Sequence, residues 1–295
     1  MTETRLDPRL NVLRDDLADV RLKGQVEAAR FVTGEAHRIL VPVASLHRRP
    51  GASQPVDTQV LFGESVQVFE RSPDGWAWVQ SDVDGYVGWL EAAALGPVGD
   101  PPTHWVTAVT TFLYPEPDLR AVPASGLSMG ARLTITDEAE TRGTRYALLS
   151  DGRAVIAAHV APLGRFATDY VSVAERFLEV PYLWAGRAGM GLDCSALVQL
   201  SMMMAGLSVL RDTDMQVDTI GTALAEGADG PLMRGDLVFW NGHVGIMRDD
   251  RELLHANGNT MTVASEPLVE AIERIERLYA RPTGARRPPA LSLRS

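Results

Sequence analysis

GRAGMGLDCSALVQLSMMMAGL, residues 186–207, carries the only cysteine of the 295-residue chain. Glycines at 186, 189 and 191 and an aspartate precede it, and an apolar run of helical length follows. A buried structural cysteine ordinarily sits among aliphatic residues in the middle of an element. Cys194 instead falls at the first turn of its helix, with Asp193 in the N-cap position. There the helix dipole and the unpaired backbone N–H groups favour the thiolate, which is the nucleophilic form. The same N–H groups can stabilise an oxyanion formed when the sulfur attacks a carbonyl. The glycines are expected to let the backbone turn sharply and keep the approach open. Against this stands the Asp193 charge, which raises the thiol pKa unless it points elsewhere. The Met202-Met203-Met204 run reads as helix core.

A nucleophilic thiol needs a base, and the chain has six histidines. His37, His47, His104 and His159 lie at the edges of β segments and read as surface or packing residues. His243 and His255 flank VGIMRDDRELL, whose midpoint is Asp249. If HVGIM and ELLH form a hairpin turning on RDD, a register symmetric about Asp249 sets His243 opposite His255. Opposed residues share a face, with Cβ atoms about 4.5–5.5 Å apart. One imidazole then accepts the sulfur's proton while the other fixes its tautomer. A slip of one residue sends the two rings to opposite faces. Cys, His and His are also zinc ligands, but no close pair such as Cys-x-x-Cys or His-x-x-x-His accompanies them, so the metal reading is the weaker one.

Outward from this region the chain reads as α+β. DYVSVAERFLEV has apolar residues at helical spacing (Val171, Ala174, Phe177, Leu178) and ends before Pro181. DLVFW, HVGIM and ELLHA read as strands after a polar connection containing DTDMQVDTIG. Upstream lie two sets of short β-branched and aromatic runs that match in order. VPVASLHRRP answers VTAVTTFLYPEP, TQVLFGESVQV answers SGLSMGARLTI, and GYVGWLEAAAL answers RAVIAAHVAPL. Gly63 and Gly130 occupy equivalent places before a β run. A repeat of roughly 65–70 residues suits two copies of a small β-barrel. The expected layout is a lead-in over 1–37 with a helical piece near Gln25 to Val32, β-barrels over 38–97 and 103–164, an α+β domain over 165–282, and a loose tail over 283–295.

The bulk properties narrow the function classes. With 45% hydrophobic and 22% charged residues the composition is that of an ordinary globular protein. A net charge of −10 argues against nucleic-acid and anionic-lipid partners. One cysteine forms no internal disulfide, the N-terminus lacks a signal-peptide apolar stretch, and no apolar run approaches the ~20 residues of a membrane span. A cytoplasmic location is the expectation.

PYLWAG, GLDCSALVQ, RGDLVFWNGHVGIM and LLHANG, in that order, resemble the signature blocks of the NlpC-type cysteine peptidases that cut bacterial peptidoglycan peptides. The resemblance covers about residues 165–280 and implies a papain-like catalytic domain. The two β repeats look like the bacterial SH3-like domains that precede it in a cytoplasmic, wall-recycling branch. That branch cuts between γ-D-glutamate and meso-diaminopimelate or lysine in short murein peptides with a free N-terminal L-alanine. The resemblance makes Cys194 the nucleophile, His243 the general base and His255 the orienting third member, with no cofactor. It implies that Tyr182 lines the site as a candidate oxyanion donor and that Asp193 and Ser195 bind the substrate's amine. Tyr86, in DGYVGW, matches a tyrosine that closes the amine pocket, with the first SH3-like domain walling off the cleft. Asp57 and Glu64 are both candidates for the accompanying acidic residue. The family pattern has Gly-Gly after the aromatic pair and Gly after DCS, where this chain has Ala185 and Ala196. Rival readings are a non-cutting SH3-like peptide binder and a thiol-dependent amidase or transferase on the same fold.

Overall fold

The structure is a computed structural model that describes residues 6–289. It divides between Leu163 and Gly164 into two compact units. In the first, seven strands form one antiparallel sheet: β1 (Glu35–Ile39), β2 (Val43–His47), β3 (Val56–Leu61), β4 (Ser65–Arg71), β5 (Trp76–Ser81), β6 (Val87–Glu91) and β7 (Leu95–Pro97), in the order β3-β2-β6-β5-β4-β1-β7. The period-two pattern of the sequence explains the faces. In β4 the side chains of Val66 and Val68 are buried while Ser65 and Gln67 are half-buried.

The lead-in is not helical near Gln25 to Val32. Phe31–Val32 is a short strand, paired in parallel with Ala18–Asp19. Val12 and Leu17 pack with Phe69, Trp76, Trp78, Val87 and Trp89. The Arg14 guanidinium lies 4.2 Å from the Trp78 ring centroid and pairs with Glu70. Burial of scattered apolar residues against a tryptophan-rich sheet face therefore overrides the weak helical spacing of this polar segment.

Residues 104–162 hold eight short strands in three small sheets and, like residues 35–97, end with a short helical turn (Ala157–His159, against Ala92–Ala94) and a last strand. Gly63 and Gly130 have φ of 75° and 90°, and their N–H groups donate to Ile39 and Val106, the last residues of equivalent strands, at 2.8 and 2.9 Å. A Cβ at Gly63 would lie 1.9 Å from the Arg132 carbonyl oxygen, so the position excludes any side chain on both conformational and steric grounds.

The second unit holds helices α1 (Tyr170–Glu175), α2 (Cys194–Met204), α3 (Thr213–Thr219) and α4 (Leu268–Leu278). Beside a two-stranded ribbon of Arg187–Ala188 and Gly191–Leu192, its strands are β8 (Thr222–Ala223), β9 (Leu237–Trp240), β10 (His243–Met247), β11 (Glu252–Asn257), β12 (Thr262–Pro267) and β13 (Gly284–Arg287). The six labelled strands form one antiparallel sheet in the order β8-β13-β9-β10-β11-β12. Helix α2 is buried nearly all round and packs against β10 and β11, while α4 lays Leu268, Ala271 and Ile275 on Val238, Trp240, Met247 and Leu253. An all-round apolar helix beside a one-sided one is what a central and a peripheral position require.

Three expectations need correction here. The polar connection after α2 contains α3, whose inward residues are Thr213, Met215 and Gln216. β12 was not anticipated. The segment expected as a loose tail supplies β13, between β8 and β9. Its Ala285 enters the core, and Arg287 pairs with buried Asp236 at 2.7 Å. Residues 290–295 of that expected tail lie outside the described residues. Among the described residues no helix is long and apolar enough to cross a membrane.

Candidate active site

Asp193 caps α2 as its sequence suggests, with Oδ1 accepting from the Ala196 N–H at 2.8 Å. Cys194 is therefore the first helical residue, and it is buried. The preceding glycines work differently from expectation. None of Gly186, Gly189 and Gly191 has a positive φ; a Cβ at Gly186 would instead lie 2.6 Å from the Gly191 carbonyl oxygen. They let two backbone segments close up beside the cysteine. Buried Ala185 takes the left-handed conformation, at φ 60°, which costs an L-residue roughly 1 kcal/mol more than glycine. That is a physical reason for glycine in the family pattern at this place.

The Val244 backbone N–H and the Thr213 hydroxyl are the donors that act on the sulfur to favour its ionised form. Even so, burial and then the Asp193 charge push the thiol up to about 11, against which those two donors and Arg211 act. His243, next in sequence to Val244, is partly exposed. Burial of its ring, then His255 and Arg274, push its pKa well below that of a free imidazole, with Glu266 acting in the opposite sense. Burial thus opposes the charged form of both groups, while the helix start acts on the sulfur in the opposite sense. Alkylation of Cys194 by iodoacetamide is accordingly expected to accelerate about tenfold per pH unit between pH 7 and 9. Mass spectrometry of the modified peptide checks this, and a rate already level above pH 7 would contradict it.

His243 and His255 are brought together, but not by the expected register. β10 and β11 pair as Ile246↔Leu254 and Met247↔Leu253, and the Arg248 N–H donates to the Glu252 carbonyl. This hairpin is centred on Asp250. Asp249 accepts from the N–H groups of Arg251 and Glu252, both at 2.8 Å, and so starts the turn rather than sitting at its tip. His243 and His255 become diagonal neighbours instead of an opposed pair. Because the displacement conserves parity, both still share a face, and His243 Nε2 lies 2.9 Å from His255 Nδ1.

Two parts of the site went unread in the sequence. His255 is 0% exposed and its Nε2 lies 2.7 Å from Glu266 Oε1, and Glu266 in turn pairs with Arg274. The pairing of β12 with β11 (His255↔Ala264, Leu253↔Glu266) puts Glu266 diagonal to His255, a relation readable only by someone who had recognised the hairpin turning on NGNTM. The second part is Arg211, 1% exposed, which grips Asp193 with two nitrogens at 2.9 and 2.8 Å and also donates to Ser195 Oγ and the Gly186 carbonyl.

The remaining named residues fall as follows. Tyr182 is half-buried, and its hydroxyl is pushed up to about 12 by burial and by the charges of Cys194 and Asp193, so it is a proton donor at neutral pH. Asp193 and Ser195, assigned by the resemblance to the substrate's amine, are buried partners of Arg211. In the first unit, Tyr86 and Glu64 are buried, Glu64 accepting from the Leu61 N–H at 2.8 Å, and Asp57 pairs with Arg48 at 3.1 Å. Among the described residues no group of three His, Cys, Asp or Glu is placed to hold a metal ion.

A mixed sheet-and-helix domain with a cysteine at a helix start and a histidine pair on its sheet defines the class. Residues 179–275 match the NlpC/P60 family, and residues 46–95 match the bacterial dipeptidyl-peptidase SH3 domain. An NlpC/P60 domain match is thus preceded along the chain by a bacterial SH3 domain match. It is 23% identical to dipeptidyl-peptidase 6 of Lysinibacillus sphaericus, over 77% of this chain and 90% of that protein. It is 26% identical to the γ-D-glutamyl-L-lysine dipeptidyl-peptidase of Bacillus subtilis, over 74% of this chain and 77% of the relative. A solved NlpC/P60 family protein from Bacillus cereus shares the fold, with a TM-score of 0.70 at 22% identity, covering 88% of this chain and all of the other.

Proposed function

We propose that the protein is a cysteine peptidase that cleaves the γ-D-glutamyl bond to lysine or meso-diaminopimelate in short murein peptides with a free N-terminal L-alanine, serving peptidoglycan recycling. The observation that carries this reading is the 2.9 Å contact between His243 and His255, on the two strands against which the helix begun by Cys194 packs. The relatives' names supply the bond class. In this reading Cys194 attacks the γ-glutamyl carbonyl carbon as its proton passes to His243. The oxyanion is met by first-turn N–H groups of α2 and the Tyr182 hydroxyl. The His243 imidazolium then protonates the leaving amine, and water releases the acyl group through the same base. The papain-like description of the second unit, and a second SH3-like domain over 103–164, belong to the same proposal; the shared ending of helical turn and last strand, and the paired glycines, support the latter.

The test is incubation with synthetic L-Ala-γ-D-Glu-L-Lys and its meso-diaminopimelate analogue, followed by mass spectrometry. Release of L-Ala-D-Glu is the expected result. Intact peptides would overturn the proposal in favour of a binding module, and cleavage of another bond or ligation in favour of an amidase or transferase.

A further inference from the structure

The ring of His255, 2.9 Å from His243, can orient it only if something decides which His255 nitrogen carries the proton. The hydrogen-bond chain continues past it. Glu266 Oε1, an acceptor when ionised, lies 2.7 Å from His255 Nε2. Its hydrogen bond to His255, with the Arg274 guanidinium beside it, outweighs burial and keeps the Glu266 carboxyl below the usual carboxylate range. That contact requires the proton of neutral His255 to sit on Nε2, which leaves Nδ1 as an acceptor. Nδ1 lies 2.9 Å from His243 Nε2, so that atom must donate. The only lone pair left on the His243 ring is then on Nδ1. One carboxylate thus sets two tautomers in series.

We propose that Glu266 and Arg274 are positioning residues of this site. The carboxylate fixes His255, and through it presents Nδ1 of His243 as the base, while the Arg274 guanidinium holds the carboxylate. The placement is structural in origin. Glu266 lies on β12, diagonal to His255 across the β11 pairing, and Arg274 lies on α4, one residue before the buried Ile275. This inference rests on the peptidase reading for its kinetic consequences, but not for its protonation pattern.

The charged and titratable groups acting on His243 are His255 on β11, Glu266 on β12 and Arg274 on α4. Helix α2, which packs against β10, carries no charged residue after its cap Asp193 and has Cys194 as its titratable group. Removing the cation leaves the anion's pull uncompensated. Removing the anion does the reverse.

Three measurements decide it. In two-dimensional 1H–15N spectra of the histidine side chains of the wild-type chain, both His243 and His255 are expected to be protonated at Nε2. A His243 protonated at Nδ1 overturns the inference whether or not the chain cuts anything. With the tripeptide substrates, Glu266→Gln is expected to lower kcat about tenfold to a hundredfold with KM within about twofold, the range of coupling within one hydrogen-bond network. Arg274→Gln is expected to move the acidic limb of the kcat/KM profile to higher pH, and Glu266→Gln to move it lower. Unchanged kcat in the first variant, or limbs that move together, overturn the proposal. Absence of cleavage by the wild-type chain counts against the peptidase reading alone, and the spectra then decide the protonation pattern by themselves.

Discussion

Cys194→Ala is expected to slow release of L-Ala-D-Glu from the lysine or diaminopimelate tripeptide by at least about 10⁴-fold, leaving circular dichroism and thermal midpoint close to those of the parent. The size follows from the role. Deleting the nucleophile of a set that acts as a unit removes nearly all of its contribution and leaves only what binding and the oxyanion donors supply. The structure predicts the small effect on folding. The side chain is buried at the start of a helix whose cap bond, Asp193 to Ala196, does not involve the sulfur. Alanine keeps the helix and loses one buried atom. Initial rates by liquid chromatography and mass spectrometry at equal folded concentration make the comparison, with Cys194→Ser as a second variant of closer volume. A rate within tenfold of the parent would remove Cys194 from the chemistry, whatever the imidazoles do.

In the proposed reaction, burial pushes the thiol up and the imidazole down, and both directions favour proton transfer that accompanies carbon–sulfur bond formation over a preformed ion pair. The direction of each shift has an evident source. Asp193 opposes ionisation of the sulfur, yet most of its own charge is directed into Arg211. The thiolate generated in the reaction therefore sees a helix start whose cap carboxylate is already partnered, and the first-turn N–H groups are not outweighed by a bare anion.

What the sequence disclosed were features decided locally. A helix start is announced by its cap, and Asp193 before an apolar run is such a cap. The side-chain parity of two histidines on strands joined by a short turn survives an error in the turn itself. Placing the centre on Asp249 rather than Asp250 changed which residues oppose each other but not which share a face. Gly63 and Gly130 stood out because each precedes a β run, and both take a positive φ. What stayed hidden depends on partners remote in sequence. TVASEP has too little apolar character to stand out as a strand until NGNTM is seen to fold it back on β11. GARR reads as tail because its arginines look solvent-bound, yet Arg287 is held by Asp236 and Arg286 by the Ile220 and Gly221 carbonyls. Val12 and Leu17 look incidental in a charged segment until a face containing Trp76, Trp78 and Trp89 exists to cover them.

Arg211→Met is expected to be the most destabilising single change in the second unit. The guanidinium is 1% exposed and satisfies four acceptors: both Asp193 oxygens, Ser195 Oγ and the Gly186 carbonyl. Without it, the Asp193 carboxylate stays buried with no countercharge, a loss of about 3–5 kcal/mol when one partner of a buried pair is removed. A thermal midpoint lower by about 10 °C or more corresponds to that cost. The double variant Asp193→Asn/Arg211→Met separates charge from packing. If the penalty is the stranded anion, neutralising it should recover most of the lost stability although yet another native contact has gone. If the penalty is lost packing and hydrogen bonding by the long side chain, the two changes should add. Thermal unfolding of the three variants beside the parent decides between them. A midpoint unchanged in Arg211→Met would mean that the pair does not hold the cap of α2, and that the start of the helix carrying Cys194 is positioned by the Asp193–Ala196 bond and the glycine-lined close approach at Gly186 alone.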